Sequence, residues 1–440
     1  MNAHKNEKSI SAHESKKPLN AYKNKVLMLA VRAGEIMLKS GAEVYRAEST
    51  IERICHACDI EYVQSFITTT GIIVSVGADE ARAEVQTAIR RVRHGSTDLE
   101  KVSQINTFIR RFTAAPAHTE ESINEGLKEL DRIDALDGFK LPIRLAALVV
   151  IAFFFTMVNG GSPIDGACAI GVGVAAYLFS LAIGHLKINR FIVVFASCFF
   201  AEGLALLIFN LGFCSSLSAM IIGSIIVYLP GVAIVNAVRD LLSGDMLSGV
   251  SRTVESLLVA IAIAGGAGML LRFAPAPLHA DVSTQFAVQF QFLFALIGTM
   301  GIAIMVNIPR RYLLPVGFIA GCGFAVYELM LATGSSQVMG CFIATCTIAL
   351  LAEIATRLSK DAATLFIIPA IFPLVPGGLM YKAMTFLLAN DTQAALRTGL
   401  EALFVAGSIA VALLVIISLT RVISSVYQSA RRRTQEARRV

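Results

Sequence analysis

The sequence predicts an α-helical polytopic membrane protein, with ten spans in two inverted five-span repeats and a small α+β N-terminal cytoplasmic domain. Composition is the first sign: 55% of the 440 residues are hydrophobic and 16% are charged, whereas soluble domains carry roughly 25% charged residues. The mean hydropathy is +0.67. The charges are also unevenly shared, dense up to Lys140 and sparse from there to the tail. From Leu141 onward apolar stretches of roughly 20 residues follow one another, the length that crosses ~30 Å of hydrocarbon as a helix.

The opening residues, "MNAHKNEKSISAHESKKPLNAYKNK", are polar and lysine-rich, with neither an apolar core nor a small-residue cleavage site. No secretory signal is expected, and the N-terminus should stay in the cytoplasm. Residues 1–20 read as a disordered tail and 21–137 as a folded domain. "NKVLMLAVRAGEIMLKSG" and "AEVYRAESTIERICHACD" repeat apolar residues at helical spacing and stop at Gly41 and Asp59. "EYVQSFITTTGIIVSVG" alternates about Thr70-Gly71 as a hairpin would, and "EVQTAIRRVRHG" predicts a third strand. Two helices follow: "TDLEKVSQINTFIRRFTAA", capped by Thr97 or Asp98, and "TEESINEGLKELDRID", opened by Thr119 and Ser122 with an acidic first turn.

The spans are expected at about 141–159, 164–184, 191–210, 216–236, 253–272, 288–308, 312–332, 337–358, 363–388 and 400–420. Cytoplasmic loops and tail would hold Lys187, Arg190, Arg239, Arg252, Arg310, Arg311, Arg357, Lys360, Arg421 and the terminal arginines, against Arg272, Lys382 and Arg397 outside. That asymmetry predicts a multi-pass cell (inner) membrane protein with both termini cytoplasmic. It also accounts for the net charge of +6 without a nucleic-acid partner.

Sliding the chain by 146 residues sets Pro230-Gly231 on Pro376-Gly377, Asp245 on Asp391 and Glu255 on Glu401. At a slightly different offset, Gly171-x-Gly173-x-Ala175-x-Tyr177 falls on Gly321-x-Gly323-x-Ala325-x-Tyr327. The spans therefore divide into a first repeat, 138–275, and a second, 285–421, followed by a basic tail, 422–440. Five is odd, so a chain that crosses at every span must invert its second repeat. Inverted repeats with helices broken at matching places predict alternating access, with substrate held near the midplane. A broken helix survives in lipid only where its freed backbone groups face protein or water. An ordinary proline kink packed against neighbours is the plainer alternative.

Charged residues inside the spans are the candidate site. Glu202 in "SCFFAEGLALL" lies near mid-span, where an ionised side chain costs at least ~2.5–3.5 kcal/mol. It is a candidate proton-coupling group, with snorkelling as the alternative. Glu353 is a second candidate, but Arg357 lies one helical turn away. Glu255 and Glu401 are spaced to neutralise Arg252 and Arg397. Lys382 has no acidic neighbour one turn away and is a candidate counter-charge for a carboxylate substrate. Arg239, Asp240 and Asp245 form a polar elbow, "RDLLSGD", that either gates or merely closes the loop between two spans.

Several classes are excluded. "CHAC" at Cys55 and Cys58 has metal or redox spacing, but no second pair exists and the pair fits a helical packing pattern. No nucleophile–base constellation and no H-E-x-x-H run is present, so neither an enzyme nor a metal or other cofactor is expected.

"SGAEVYRAESTIERIC", "RRVRHGSTDLEKVSQIN", "LPGVAIVNAVRDLLSGDMLSGVSRTVESLL" and "FIIPAIFPLVPGGLMYKAM" resemble, in order, the signature blocks of the threonine/serine exporter family, in the single-chain form of its split two-component exporters. The resemblance implies a cytoplasmic N-terminal domain, a ten-span unit and export driven by the proton-motive force. It also gives weight to Glu43, Arg46 and Glu48 in the first domain, and to Pro230, Gly231, Asn236, Arg239, Asp240, Asp245, Pro376 and Gly377. Glu43, Arg46 and Glu48 form either a self-neutralising solvated face or a surface that docks onto the inner mouth. The expected function is efflux of threonine or serine by antiport with protons. A C4-dicarboxylate (succinate) exporter is the alternative, and a channel or scaffold with a signalling N-terminal domain is the rival of another class. The expected partners are that substrate, protons and the lipid bilayer, with a homo-oligomer left open.

Overall fold

The computed structural model describes residues 3–77, 85–93, 95, 97–186, 188–242, 244–271 and 286–437, with backbone alone for 3–20, 231, 232, 235, 239, 242, 264, 271, 421 and 423–437. Lys187, Arg272, the boundary between the two expected repeats, and the side chains of Arg239, Arg421 and the terminal arginines lie outside the described set, as do those of the expected 1–20 tail. The chain divides into two compact units, Met1–Gly138 and Phe139–Val440.

The first unit is α+β: helices α1 (Ala3–Lys39) and α2 (Val44–Ala57), strands β1 (Tyr62–Thr68), β2 (Gly71–Gly77) and β3 (Gln86–Arg91), then α3 (Leu99–Thr113) and α4 (Glu120–Asp134). The strands form one antiparallel sheet in the order β1-β2-β3, with Thr68 opposite Gly71 at the hairpin. On one face Ile72, Val74 and Val76 are buried, while Phe66, Ile73 and Ile89 form an exposed cross-strand row on the other. Gly34 lets α1 approach closely, since a Cβ there would stand 2.7 Å from Ile51 Cδ1. Asp98 caps α3 by accepting from the Lys101 N–H at 3.2 Å, and Thr119 caps α4 by accepting from Ser122 at 3.3 Å.

Cys55 and Cys58 are buried in this unit, and burial pushes their thiols up to about 12 and about 11. They stay protonated at neutral pH and pack as small apolar groups.

Glu35 is the unit's buried electrostatic centre, 6% exposed and ringed by Lys39 at 2.6 Å, Arg90 at 3.2 Å and Arg32 at 3.3 Å. Burial alone would raise its carboxyl, but Lys39, Arg90 and Arg32 outweigh it and hold the group below the ordinary range. A lowered carboxyl stabilises the fold above the unfolded value of roughly 4.3, and that contribution is lost as pH falls through the lower folded value. Glu35→Gln should therefore cost about 2 kcal/mol at neutral pH, the worth of a charge-assisted pair. Hydrogen exchange in the full chain will show it as faster exchange along α1 and β3, with the difference from wild type shrinking on acidification; unchanged exchange would refute it.

The second unit is helical throughout its described residues: α5 (Leu141–Val158), α6 (Pro163–Gly184), α7 (Arg190–Asn210), α8 (Leu217–Ile225), α9 (Gly231–Leu242), α10 (Met246–Leu271), α11 (Val288–Met305), α12 (Leu313–Ala332), α13 (Gln337–Ser359), α14 (Ala363–Ala370), α15 (Gly377–Leu388) and α16 (Thr392–Ala437). Eight of its segments are long and apolar enough to cross a membrane alone. A ninth forms if the pair Ala363–Leu374 and Gly377–Leu388, bent by 41°, counts as one span.

The two interrupted segments have the same anatomy. In each a short helix, α8 or α14, tightens into a three-residue 3-10 turn, Ile226–Tyr228 or Phe372–Leu374. Two residues then separate it from a twelve-residue helix that starts on the glycine of Pro-Gly, and Gly231–Leu242 and Gly377–Leu388 lie 146 residues apart. Neighbours recur as well: α5 packs on α6 as α11 does on α12, α7 on α10 as α13 does on α16, and α9 on α10 as α15 does on α16. A Cβ on Gly377 would stand 2.7 Å from Leu229 Cδ1, so the two breaks meet.

Buried carboxylates tie down the start of each broken helix. Asp165 completes a capping box with Ser162 at the start of α6, and its other oxygen accepts from the Ser215 and Ser216 N–H groups just before α8, at 2.6 and 3.2 Å. Asp361, just before α14, accepts instead from Arg311 at 3.0 Å and the Tyr312 hydroxyl at 2.7 Å, at the start of α12.

Candidate functional site

The second break opens onto a cavity of about 950 Å³ inside the second unit. Its floor is the second break, Pro373 to Val375 with Gly378 and Leu379, beside Ala219 and Ile222 of α8. Its mouth is framed by the end of α5, the residues before α8, the start of α11 and the α12–α13 turn. Gly378, Lys382, Thr385 and Phe386 line it at i, i+4, i+7 and i+8, which is one face of α15. The first backbone N–H groups of a helix lack intrahelical partners, and its N-terminus carries partial positive charge. Gly378 and Leu379 bring that end of α15 to the cavity, where a Cβ on Gly378 would make ordinary contact with Asn159 Oδ1 at 3.4 Å.

Lys382 lines this wall and has no ion-pair partner among the described residues. Glu202 on α7 is fully buried, with its carboxyl near the Tyr381 hydroxyl on α15 but neither carboxylate oxygen in hydrogen-bond geometry among the described residues. Tyr381 lines the cavity, so Glu202 sits one side chain behind the wall. Pro376 and Gly377 form the floor's break, and Pro230 and Gly231 the opposing one.

The remaining candidates fall elsewhere. Glu353 pairs with Arg357 at 3.2 Å. Asn236 and Asp240 are buried on α9, and Asp240 pairs with Arg252 of α10 at 3.2 Å. One sequence reading needs correction here. Arg239 and Asp240 belong to α9 itself, which runs on to Leu242; the turn is confined to the residues around Gly244, whose φ of +94° suits glycine, and Asp245. Glu255 pairs with Arg190 of α7 at 3.3 Å, and the tight turn brings Arg252 back to Asp240. No ion pair joins Glu401 to Arg397 among the described residues.

In the first unit Glu43 and Arg46 pair at 2.9 Å, with Glu43 buried rather than solvated, and Glu48 accepts from the Ser65 hydroxyl at 3.1 Å. No group of three or more metal-ligating side chains occurs among the described residues.

Sequence reasoning missed two cavity residues. Glu328, in "AVYELML", is half-buried near the end of α12, and Gln291, in "VQFQF", is 6% exposed on α11 with no hydrogen-bond partner for its Oε1. The rule that singled out Glu202, a polar residue within an apolar span, applies to both.

Apolar helices of spanning length around a cavity that ends at a broken helix define a polytopic membrane protein built like a transporter. The family comparison narrows this. A family model described as "Putative threonine/serine exporter" matches residues 28–274, and one described as "Threonine/Serine exporter, ThrE" matches 291–419. The chain belongs to the threonine/serine exporter family, a family of membrane transporters rather than enzymes. It is 25% identical over 382 residues to the "Probable threonine/serine exporter" of Mycobacterium tuberculosis, covering 83% of this chain and 71% of that one. It is 23% identical over 410 residues to the "Threonine/serine exporter" of Corynebacterium glutamicum, covering 88% and 80%. It is also 24% identical over 368 residues to "Pheromone-regulated membrane protein 10" of Kluyveromyces lactis, covering 79% and 37%. No solved structure matches.

Proposed function

We propose that this protein exports threonine or serine across the inner membrane by proton-coupled alternating access, through ten spans in two inverted repeats with both termini cytoplasmic. The observation that carries the reading is the cavity: it ends at the N-terminus of α15, Lys382 stands in its wall, and Glu202 lies behind Tyr381. The helix end and Lys382 receive the substrate carboxylate, and Glu202 carries the coupling proton. Two half-helix breaks of identical anatomy 146 residues apart support the repeats. If the first unit is cytoplasmic, the cavity opens outward and the Asp240–Arg252 pair lies on the closed side; Asn236, Arg239 and Asp240 would line the opposite cavity when the protein turns.

The test is efflux from proteoliposomes holding the full chain and loaded with labelled L-threonine or succinate. Threonine efflux should accelerate when a pH gradient is imposed, and succinate efflux should not. Threonine and serine leaving no faster than from empty liposomes would sink the reading, and current across a planar bilayer without a gradient would favour a channel.

A further inference from the structure

The charged lining of the cavity, among the described residues, is one acid and one base: Glu328 on α12 and Lys382 on α15. Neither side chain has an ion-pair or hydrogen-bond partner among the described residues, and they lie on different helices bounding one space. A carboxylate in an apolar helix is costly and is retained where it faces a cavity or a partner. Gln291, on α11, which packs against α12, adds an amide in the same wall, with its oxygen unpaired and its side chain almost wholly buried. A buried amide oxygen without a partner is costly until something donates to it. The protein thus presents a positive pole at Lys382 and the α15 N-terminus, and an acceptor-rich pole at Glu328 and Gln291.

We propose that Glu328 and Gln291 receive the α-ammonium group of a zwitterionic amino acid whose carboxylate is drawn to Lys382. This rests on the exporter reading above and sharpens it, because the charge pattern separates the two candidate substrate classes. A zwitterion matches one acid and one base. A C4-dicarboxylate would bring its second carboxylate into a space with Glu328 and no second cation among the described residues, and like charges set close in a desolvated site repel.

Isothermal titration of the purified full chain with three related compounds reads this directly. The compounds are L-threonine, 2,3-dihydroxybutanoate, which replaces the ammonium with a hydroxyl, and threoninol, which lacks the carboxylate. Wild type should prefer threonine to both. In Glu328→Gln the preference for threonine over 2,3-dihydroxybutanoate should fall at least ~30-fold, in keeping with the loss of one buried charge pair. Lys382→Gln should instead erase the preference for threonine over threoninol. Each readout is a ratio within one preparation, so a smaller folded fraction does not imitate it.

An E328Q protein that keeps the wild-type ratio overturns the assignment of Glu328 while leaving the exporter reading intact. A wild type that binds 2,3-dihydroxybutanoate or succinate as tightly as threonine overturns the zwitterion preference. One that binds none of these compounds overturns both.

Discussion

Replacing Glu202 by Gln should abolish threonine movement driven by a pH gradient while leaving threonine-for-threonine exchange at zero gradient in place. Glu202 is 0% exposed on α7, a helix that packs against α6, α8 and α10. An ionised carboxylate there forgoes its hydration, at a cost of at least ~2.5–3.5 kcal/mol. Its charged form therefore becomes affordable only in a conformation that brings water or a cation to it. The Tyr381 hydroxyl within its range belongs to the helix that carries Lys382, so on the proposed mechanism a proton at Glu202 and substrate at Lys382 would bias the position of the same element, α15. A ligand shifts a conformational equilibrium only by its difference in affinity for the two states. Glutamine keeps the size and a hydrogen-bonding group but cannot cycle a proton, which is why exchange should persist while accumulation is lost. Tyr381→Phe, which removes the hydroxyl alone, should weaken the gradient dependence without abolishing it. Undiminished gradient-driven transport in E202Q would remove Glu202 from the coupling step, and loss of exchange as well would make its role structural.

The route from sequence to site was open where chemistry is written along one helix and closed where it depends on a turn. Pro230-Gly231 and Pro376-Gly377 announce their breaks because proline and glycine act on their own backbone, so both interruptions and their spacing were legible. Glu353–Arg357 was legible for the same reason, being an i, i+4 pair. The Asp240–Arg252 pair was not, since it forms only when the turn at Gly244 folds α10 back on α9. Asp165 carried a readable capping signature with Ser162, but its grip on the residues before α8 spans fifty positions and belongs to tertiary packing. Lys382 could be named as an unpartnered cation, yet the acid that shares its cavity stands on α12, and helical spacing says nothing about which helices bound one space.

The contact between the breaks gives the last prediction. Leu229 packs against Gly377 beside a void of about 30 Å³ that Phe155, Ile226 and Phe372 also line, so the breaks touch through the apolar Leu229 side chain. A β-carbon at 377 would press on the tip of Leu229, which a flexible side chain absorbs; a valine there would overfill the void, and overpacking costs about 1–3 kcal/mol in the state that is squeezed. If alternating access slides the broken helices past each other here, Gly377→Val should slow threonine transport at least ~10-fold, since 1.4 kcal/mol of added barrier corresponds to that factor. Leu229→Ala alone removes buried contacts and should cost about 2–3 kcal/mol of stability. Combined with G377V it makes room for the added methyls, so the double variant should transport better than G377V when both are normalised to folded protein. The double-mutant cycle isolates that coupling from the general damage of either change, and residues in contact couple by roughly 0.5–3 kcal/mol. Additive losses would mean that the two breaks move independently and that Leu229 merely fills space. A rescue would place the moving joint of the protein at the point where its two copies of Pro-Gly meet.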